Sequence, residues 1–498
     1  MRKKSALLAR VDAMATARRK AILEAEDALT VAGKTYYVSN SGNDENDGLT
    51  EATAWATVAR VGAAALAPGD AVRFRRGDSF RGSFLAAEGV SYGAYGEGPK
   101  PRLLAGERNL ADPSLWELAD AEHAIWHLKA PILDCGTLLF NDGEAVAYKL
   151  IPSYLGGRFV VREDESRPFV MAEEMCRDLD LYWHFDAKLT TVPSRGQDFP
   201  IPDLLDALGD LYLRSVRGNP GEVFSSIEPL VRTHLIRVGN RNNVHIDNLC
   251  LLYAGMHGIS AGGVRVEGLH VTNCEIGWIG GCLQTYNGCD PNYPEGGRGT
   301  VTRFGNAIEI YGGCDDYLVE NCYVYECYDA GLTHQVTTHG EKREMTRIVY
   351  RNNLVERCVY SIEYFLDMTK GDTASYMDDV LVEGNILRAA GEGWGQQRHN
   401  KHTPAHIKGW SYTNVAKNYR IKGNVFDRSA YRLLHLVAES AASCPAMEGN
   451  LYLQYDGGML GQFGGKEQGE PPILFADGSL GVKVKEILGD ASAEVAIL

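Results

Sequence analysis

Tyr317–Gln335 reads YLVENCYVYECYDAGLTHQ and Ile348–Phe365 reads IVYRNNLVERCVYSIEYF. Each has a short β-rich run, an Asn, a second β-rich run, a turn of small or polar residues, and a third run. Five further segments follow the same grammar. They are VHIDNLCLLYAGMHGIS from Val244, VRVEGLHVTNCEIGWIG from Val264, VLVEGNILRAAGEGWGQQ from Val380, YRIKGNVFDRSAYRLLHLV from Tyr419 and AMEGNLYLQYDGGMLGQF from Ala446. Self-similarity with a coil of about 20–25 residues, lengthened here and there by excursions, is the mark of a solenoid.

The residue between the first two runs reads Asn248, Gly268, Asn321, Asn352, Gly384, Gly423 and Gly449 down the segments. Asn and Gly enter left-handed backbone most cheaply, and a sharp bend between two strands of one coil needs that conformation. The next position reads Leu249, Leu269, Cys322, Asn353, Asn385, Asn424 and Asn450. Four successive asparagines at one position predict a ladder, each amide bonding to the coils above and below. A run of unrelated hairpins leaves that ladder unexplained. The pattern predicts an all-β chain built as a parallel β-helix.

Outward from these repeats, residues 107–235 break the grammar. Turn signals at Asn141-Asp142-Gly143 and Asn219-Pro220-Gly221 stand among strand-like pieces, which reads as an inserted β-rich subdomain. Residues 1–30 predict an amphipathic helix with Leu7, Leu8, Val11, Met14, Ile22 and Leu23 as its apolar stripe. The organisation expected is a helix at 1–30, a first β-helix part at 31–106, the insert at 107–235, the main coils at 236–465 and a C-terminal cap at 466–498.

Within this frame, YYVSNSGNDENDGLTEATAWATVARVGAAALAPGDAVRFRRGDSFRG (from Tyr36) resembles the entry segment of bacterial right-handed parallel β-helix proteins of the pectate-lyase-like superfamily. Val90–Gly106 continues in the same style, and the likeness extends over residues 35–106 and 236–465. The resemblance implies a right-handed β-helix and a carbohydrate-active protein. It does not fix the reaction, because the superfamily holds lyases, hydrolases, epimerases and non-enzymes.

Composition narrows the partners. The chain has 498 residues, 45% of them hydrophobic, so a large core is available. A net charge of −15 argues against nucleic acid or an anionic membrane as the main partner. No apolar run is long enough to span a bilayer and no signal-like segment opens the chain, so a cytoplasmic protein is expected. Homo-oligomerisation is left open. The 11 cysteines lack zinc-ligand spacing and several sit in apolar strand-like runs, which reads as reduced, buried thiols. The loose spacing of His399, His402 and His406 suggests no metal, NDENDG at 43–48 reads as a turn, and no cofactor is expected.

The chemistry is expected on the third run of each coil, where outward side chains of stacked strands form a groove. The strands expected there are 258–262, 277–281, 307–311, 331–335, 361–365, 393–397 and 433–437. Alternation assigns the faces. With Ile308, Ile310, Leu332 and Ile362 inward, Glu309, Tyr311, Thr333 and Glu363 point outward, and Glu309 and Glu363 share one column. Two coil steps put their backbones about 9.6 Å apart, and the side chains can reduce that to the roughly 6.5–9.5 Å of an inverting glycosidase pair, or to less where they lean together. Asp329, on the turn into the intervening strand, adds a third carboxylate. The bland alternative is solvated strand carboxylates or partners for nearby arginines.

Trp278, Tyr311, Tyr364 and Trp394 are candidates for stacking on sugar faces. His334, Gln396, Arg398, His399 and His435 are candidates for binding hydroxyl or carboxylate groups. Three readings follow: a glycoside hydrolase acting on an oligosaccharide through a carboxylate pair, a lyase or epimerase acting on a uronate-containing glycan, or a non-catalytic carbohydrate-binding solenoid. RIK at Arg420–Lys422 falls at a bend rather than in the groove and carries no weight for a polygalacturonase.

Overall fold

In the computed structural model the described residues are 2–498, apart from 28, 156–157, 186–188, 195–196, 203, 205, 287–300, 399–402, 411, 469–472 and 475–479. The chain winds into a right-handed parallel β-helix with three long sheets. Each coil gives one strand to each sheet. Sheet 1 runs from Thr35–Val38 to Ala446–Glu448, sheet 2 from Ser79–Arg81 to Glu494–Ile497, and sheet 3 from Phe84–Leu85 through Ile236–Arg237, Ile259–Gly262, Ile308–Tyr311, Ala330–Thr337, Tyr360–Asp367, Ala405–Gly409 and Arg432–Ala438 to Met459–Gly465. Pairing within these stacks is parallel, for example Leu332 opposite Ile362 opposite Ile407. One inward column of aliphatic and aromatic side chains per strand makes a continuous core, from Val38 and Phe74 to Val484 and Leu488.

The bend between sheets 1 and 2 is left-handed in every main coil. Strand register puts Asn248, Asn273, Asn321, Asn352, Gly384, Gly423 and Gly449 in this column, all with positive φ. Asn273 therefore stands where the sequence pattern suggested Gly268, and Cys274 replaces Leu269 in the next column. Gly268 lies in a separate left-handed column inside sheet 1 with Asn243, Asp316, Arg347, Asp379 and Asn418. A Cβ on Gly268 would come within 2.5 Å of the Asn243 side chain.

The asparagine ladder is present. Asn353 Nδ2 donates to Asn385 Oδ1 (2.9 Å), Asn385 to Asn424 (2.9 Å), and Asn424 to Asn450 (3.1 Å). Each amide also feeds a backbone carbonyl of the coil before it, as Asn385 Nδ2 does to Tyr350. Buried Asp490 ends the ladder by accepting from Asn450 Nδ2 and from the backbone N–H groups of Gly449 and Asn450. A fully satisfied buried polar column fixes the stacking register, because a slip would leave every member unpaired.

Residues Arg2–Leu23 form one helix. It lies along the outer face of sheet 2, where Val11, Ala15 and Ile22 meet Leu354, Ile386, Val425 and Leu451. Met14 is 40% exposed and does not belong to the buried stripe. A C-terminal helix, Leu480–Leu488, puts Val484 and Leu488 into the core.

Three excursions leave the corner between sheets 2 and 3. The first runs from after Leu104 to before Ile236 and builds small sheets around a core of its own, including Trp116, Phe140, Trp183 and Leu211. The second joins Glu275–Ile279 to Ile308–Tyr311, and the third joins Ile386–Ala390 to Ala405–Gly409. They are knitted together along one wall. Buried Arg303 of the second excursion donates to Gly136 O of the first (2.8 Å), and Gln397 of the third donates to Ala147 O of the first (2.8 Å). The loops that join sheet 3 to sheet 1 leave from the opposite edge of sheet 3.

Candidate active site on sheet 3

The side chains that stand outward from sheet 3 form one chemically mixed column. Register aligns Arg237, Ser260, Glu309, Thr333, Glu363, Lys408, His435 and Gln462. Glu309 and Glu363 are thus in one column, two coils apart, with Thr333 between them. Thr333 is fully buried and accepts from Ile310 N–H (3.0 Å), which pins it to the sheet.

Glu309 is held by a histidine that the sequence pattern did not single out. His257 Nε2 lies 2.6 Å from Glu309 Oε2. The backbone N–H of Asn306 donates to His257 Nδ1 (3.0 Å), so the neutral ring carries its proton on Nε2 and donates it to Glu309. The Ser260 hydroxyl lies 3.4 Å from the same carboxylate oxygen. The His257 ring stacks on His234 at 5.1 Å and 9°. Burial, with the neighbouring His257 second, pushes the His234 pKa down to about 3. His257 Nε2 and the Ser260 hydroxyl both face Oε2 of Glu309 and so fix the orientation of its carboxyl group.

Glu363 has the opposite environment. It is 5% exposed and accepts from the Trp410 indole N–H. Burial and then the charge of Asp329 push its pKa up to about 8, against the weaker pulls of Trp410, Arg398 and Lys408. These surroundings favour the protonated acid over the carboxylate. Asp329 is ion-paired with Arg398, whose guanidinium also lies 5.6 Å from the centre of the Tyr360 ring. Burial raises the Asp329 pKa while Arg398 draws it back. Lys408 closes the cluster, its ammonium 4.1 Å from the centre of the Trp410 ring.

An aromatic shelf flanks the carboxylates. Tyr311 meets Phe365 edge-on at 6.0 Å, Phe365 meets Tyr412 at 5.3 Å, and Tyr412 meets Trp410 at 6.5 Å. Tyr412 is 42% exposed at its outer end. Tyr311 also shares a hydrogen bond with Thr337 (3.1 Å).

Several expected groove residues stand elsewhere. His334 and Tyr364 point into the solenoid, stacked on each other at 5.1 Å and 3° beside Tyr350 and Tyr419. Alternation from Leu332 and Ile362 puts them on the inner face. Trp278 belongs to sheet 2 and packs against Gly143 of the insert. Trp394 is buried, its indole donating to Glu326 O (2.7 Å) and its ring tilted on Tyr328. Residues 394–397 form a 3-10 turn rather than a strand, so the groove strand of that coil is Ala405–Gly409, which supplies Lys408. Gln396 is exposed on that turn, and Arg398 reaches the site through Asp329. His435 is in the column, its Nδ1 against Gly409 O, and burial pushes its pKa down to about 3. His399 lies outside the described residues.

No protein-family model and no curated protein matches the chain. Solved structures do resemble it. A structure of XylC in complex with xylose is 10% identical with a TM-score of 0.41, covering 93% of this chain and 82% of that one. The GH136 lacto-N-biosidase from Eubacterium ramulus is 14% identical with a TM-score of 0.33, covering 85% of this chain, which spans 64% of that one. A rhamnogalacturonan lyase is 11% identical with a TM-score of 0.35, covering 89% and 79%. Among the described residues, no helix is long and apolar enough to cross a membrane.

Proposed function

We propose that the protein is a glycoside hydrolase that cleaves an oligosaccharide lying across sheet 3. The observation that carries this reading is the pairing, in one outward column, of a buried carboxyl whose surroundings raise its pKa with a second carboxyl oriented by His257 and Ser260. Acid–base cleavage of a glycosidic bond requires one carboxyl that holds its proton and a second carboxyl oriented nearby, and burial favours the protonated form of Glu363. Glu363 gives its proton to the leaving glycosidic oxygen as the C–O bond breaks. Glu309 takes a proton from a water that attacks the anomeric carbon on the opposite face. Water then restores both groups, leaving a new reducing end of inverted configuration. Asp329 acts through Glu363, since its charge helps keep that carboxyl protonated, and His257 orients Glu309. The shelf Tyr311–Phe365–Tyr412–Trp410 is suited to stack on sugar rings.

Elimination on a uronate-containing glycan is the second reading, favoured by Lys408 and His435 in the same column, where a cation and a neutral imidazole stand side by side. The test is turnover of an oligosaccharide panel by Glu309→Gln and Glu363→Gln. Loss of an acid or base predicts a fall in kcat of about 10²–10⁴ for each, with the fold intact by circular dichroism. Wild-type turnover in both variants overturns the assignment.

A further inference from the structure

The outer face of sheet 2 changes character along the solenoid. Its outward column reads Arg102, Cys250, Glu275 and Tyr323 in the early coils, then Leu354, Ile386, Val425 and Leu451. The N-terminal helix covers the aliphatic part and ends at Leu23, where the aromatic and charged part begins. Beyond that point lies a crevice of about 390 Å³, bounded by Leu23, the Pro99–Arg102 segment, the Asp142 tip of the insert and sheet 2. A volume of this order holds a small ligand.

The lining is built rather than left over. Gly277 has no Cβ, and one placed there would meet the Tyr325 ring at 2.3 Å, so the missing side chain lets Tyr325 lie flat over the sheet. Tyr325 donates to Glu275 (3.0 Å). Trp278 stands beside it at the bend. Across the crevice, Arg102 donates to the Tyr253 hydroxyl (3.2 Å), which donates to Asp142 (3.2 Å). Aromatic faces floored against the sheet and planar charged groups at the rim match the two faces of a pyranose, whose C–H face stacks and whose neighbouring hydroxyls bond to carboxylate and guanidinium forks.

We infer that this crevice is a second carbohydrate-binding site for a neutral mono- or disaccharide unit, on a different sheet from Glu309 and Glu363. It goes beyond the proposed hydrolysis and stands or falls separately. The experiment follows the indole N–H resonances of ¹⁵N-tryptophan-labelled protein during titration with cellobiose, xylobiose, lactose and maltose, each to about 20 mM, saturating for a millimolar site. Trp278→Phe assigns the Trp278 signal. The Trp410 signal reports the sheet 3 groove, so events at the two sites are read apart. The expected result is a saturable shift of the Trp278 signal with at least one disaccharide, kept in Glu363→Gln and reduced at least about five-fold in Arg102→Ala, a loss of about 1 kcal/mol. A Trp278 signal that stays still with all four sugars overturns the inference, as does a shift unchanged in Arg102→Ala.

Discussion

Replacing Glu363 by Gln removes the group whose ionisation the fold resists most clearly. The side chain is buried against Trp410 and Asp329, and its pKa is raised from 4.5 to about 8. A carboxyl whose folded pKa lies above its unfolded value binds a proton in the native state that the unfolded chain has already lost. Its contribution to stability is fully present below about pH 4.5 and is lost as the pH rises through 8. At about 1.4 kcal/mol per unit, the whole swing is on the order of 5 kcal/mol. An amide matches the neutral carboxyl in shape, still accepts from the Trp410 indole, and does not titrate. With an unfolding entropy of about 2 cal/mol/K per residue over 498 residues, the swing corresponds to about 5 °C in the thermal midpoint. Calorimetric scans of wild type and Glu363→Gln between pH 4.5 and 8.5 measure it. Wild type should lose about 3–5 °C relative to the variant across that range. Parallel curves would refute the claim that the fold holds Glu363 protonated.

Four other outcomes follow. The alkaline limb of kcat/KM should fall near pH 8 as Glu363 loses its proton, read from initial rates across pH. Asn385→Ala leaves Asn353 Nδ2 and the Tyr350 carbonyl without their ladder partners and should cost about 2–4 kcal/mol in chemical denaturation. Arg398→Met strands Asp329 inside the protein and should lower stability by about 3–5 kcal/mol, with part of the loss recovered in the double variant with Asp329→Leu. Tyr412→Ala removes the outer end of the aromatic shelf and should raise KM several-fold, about 1 kcal/mol, with little change in kcat.

Much of the fold was legible because its requirements fall on residues with distinctive backbone behaviour. Asn321, Asn352, Gly384, Gly423 and Gly449 announce the first bend, and the four ladder asparagines announce stacking. The second bend is silent. Its left-handed column is Tyr253, Trp278, Glu326, Arg357, Ala389 and Arg428, none of them a type that favours positive φ. Without that landmark the excursions could not be placed, and so 277–281 and 393–397 were misread as groove strands and Lys408 was missed. Gly268 misled for a related reason, since sheet 1 carries a left-handed column of its own five positions before that coil's bend at Asn273.

At the site, Glu309 and Glu363 were legible because Ile310 and Ile362 fix alternation in short, regular strands. The same alternation places His334 and Tyr364 inside, where the core tolerates an imidazole because it stacks on tyrosine rings and hydrogen-bonds Tyr350 (3.0 Å). His257 precedes its strand on a turn, where period-two reasoning has no hold. Its only sequence signal is a histidine one coil before Glu309, immediately ahead of Gly258–Ile259.

The most direct measurement is proton NMR of the first sugar released from an oligosaccharide that the protein cleaves. Glu363 as acid and Glu309 as a base that activates water predict a newly formed anomer of inverted configuration and no unsaturated product. A retained anomer would contradict that pairing, and an unsaturated uronate would contradict hydrolysis itself.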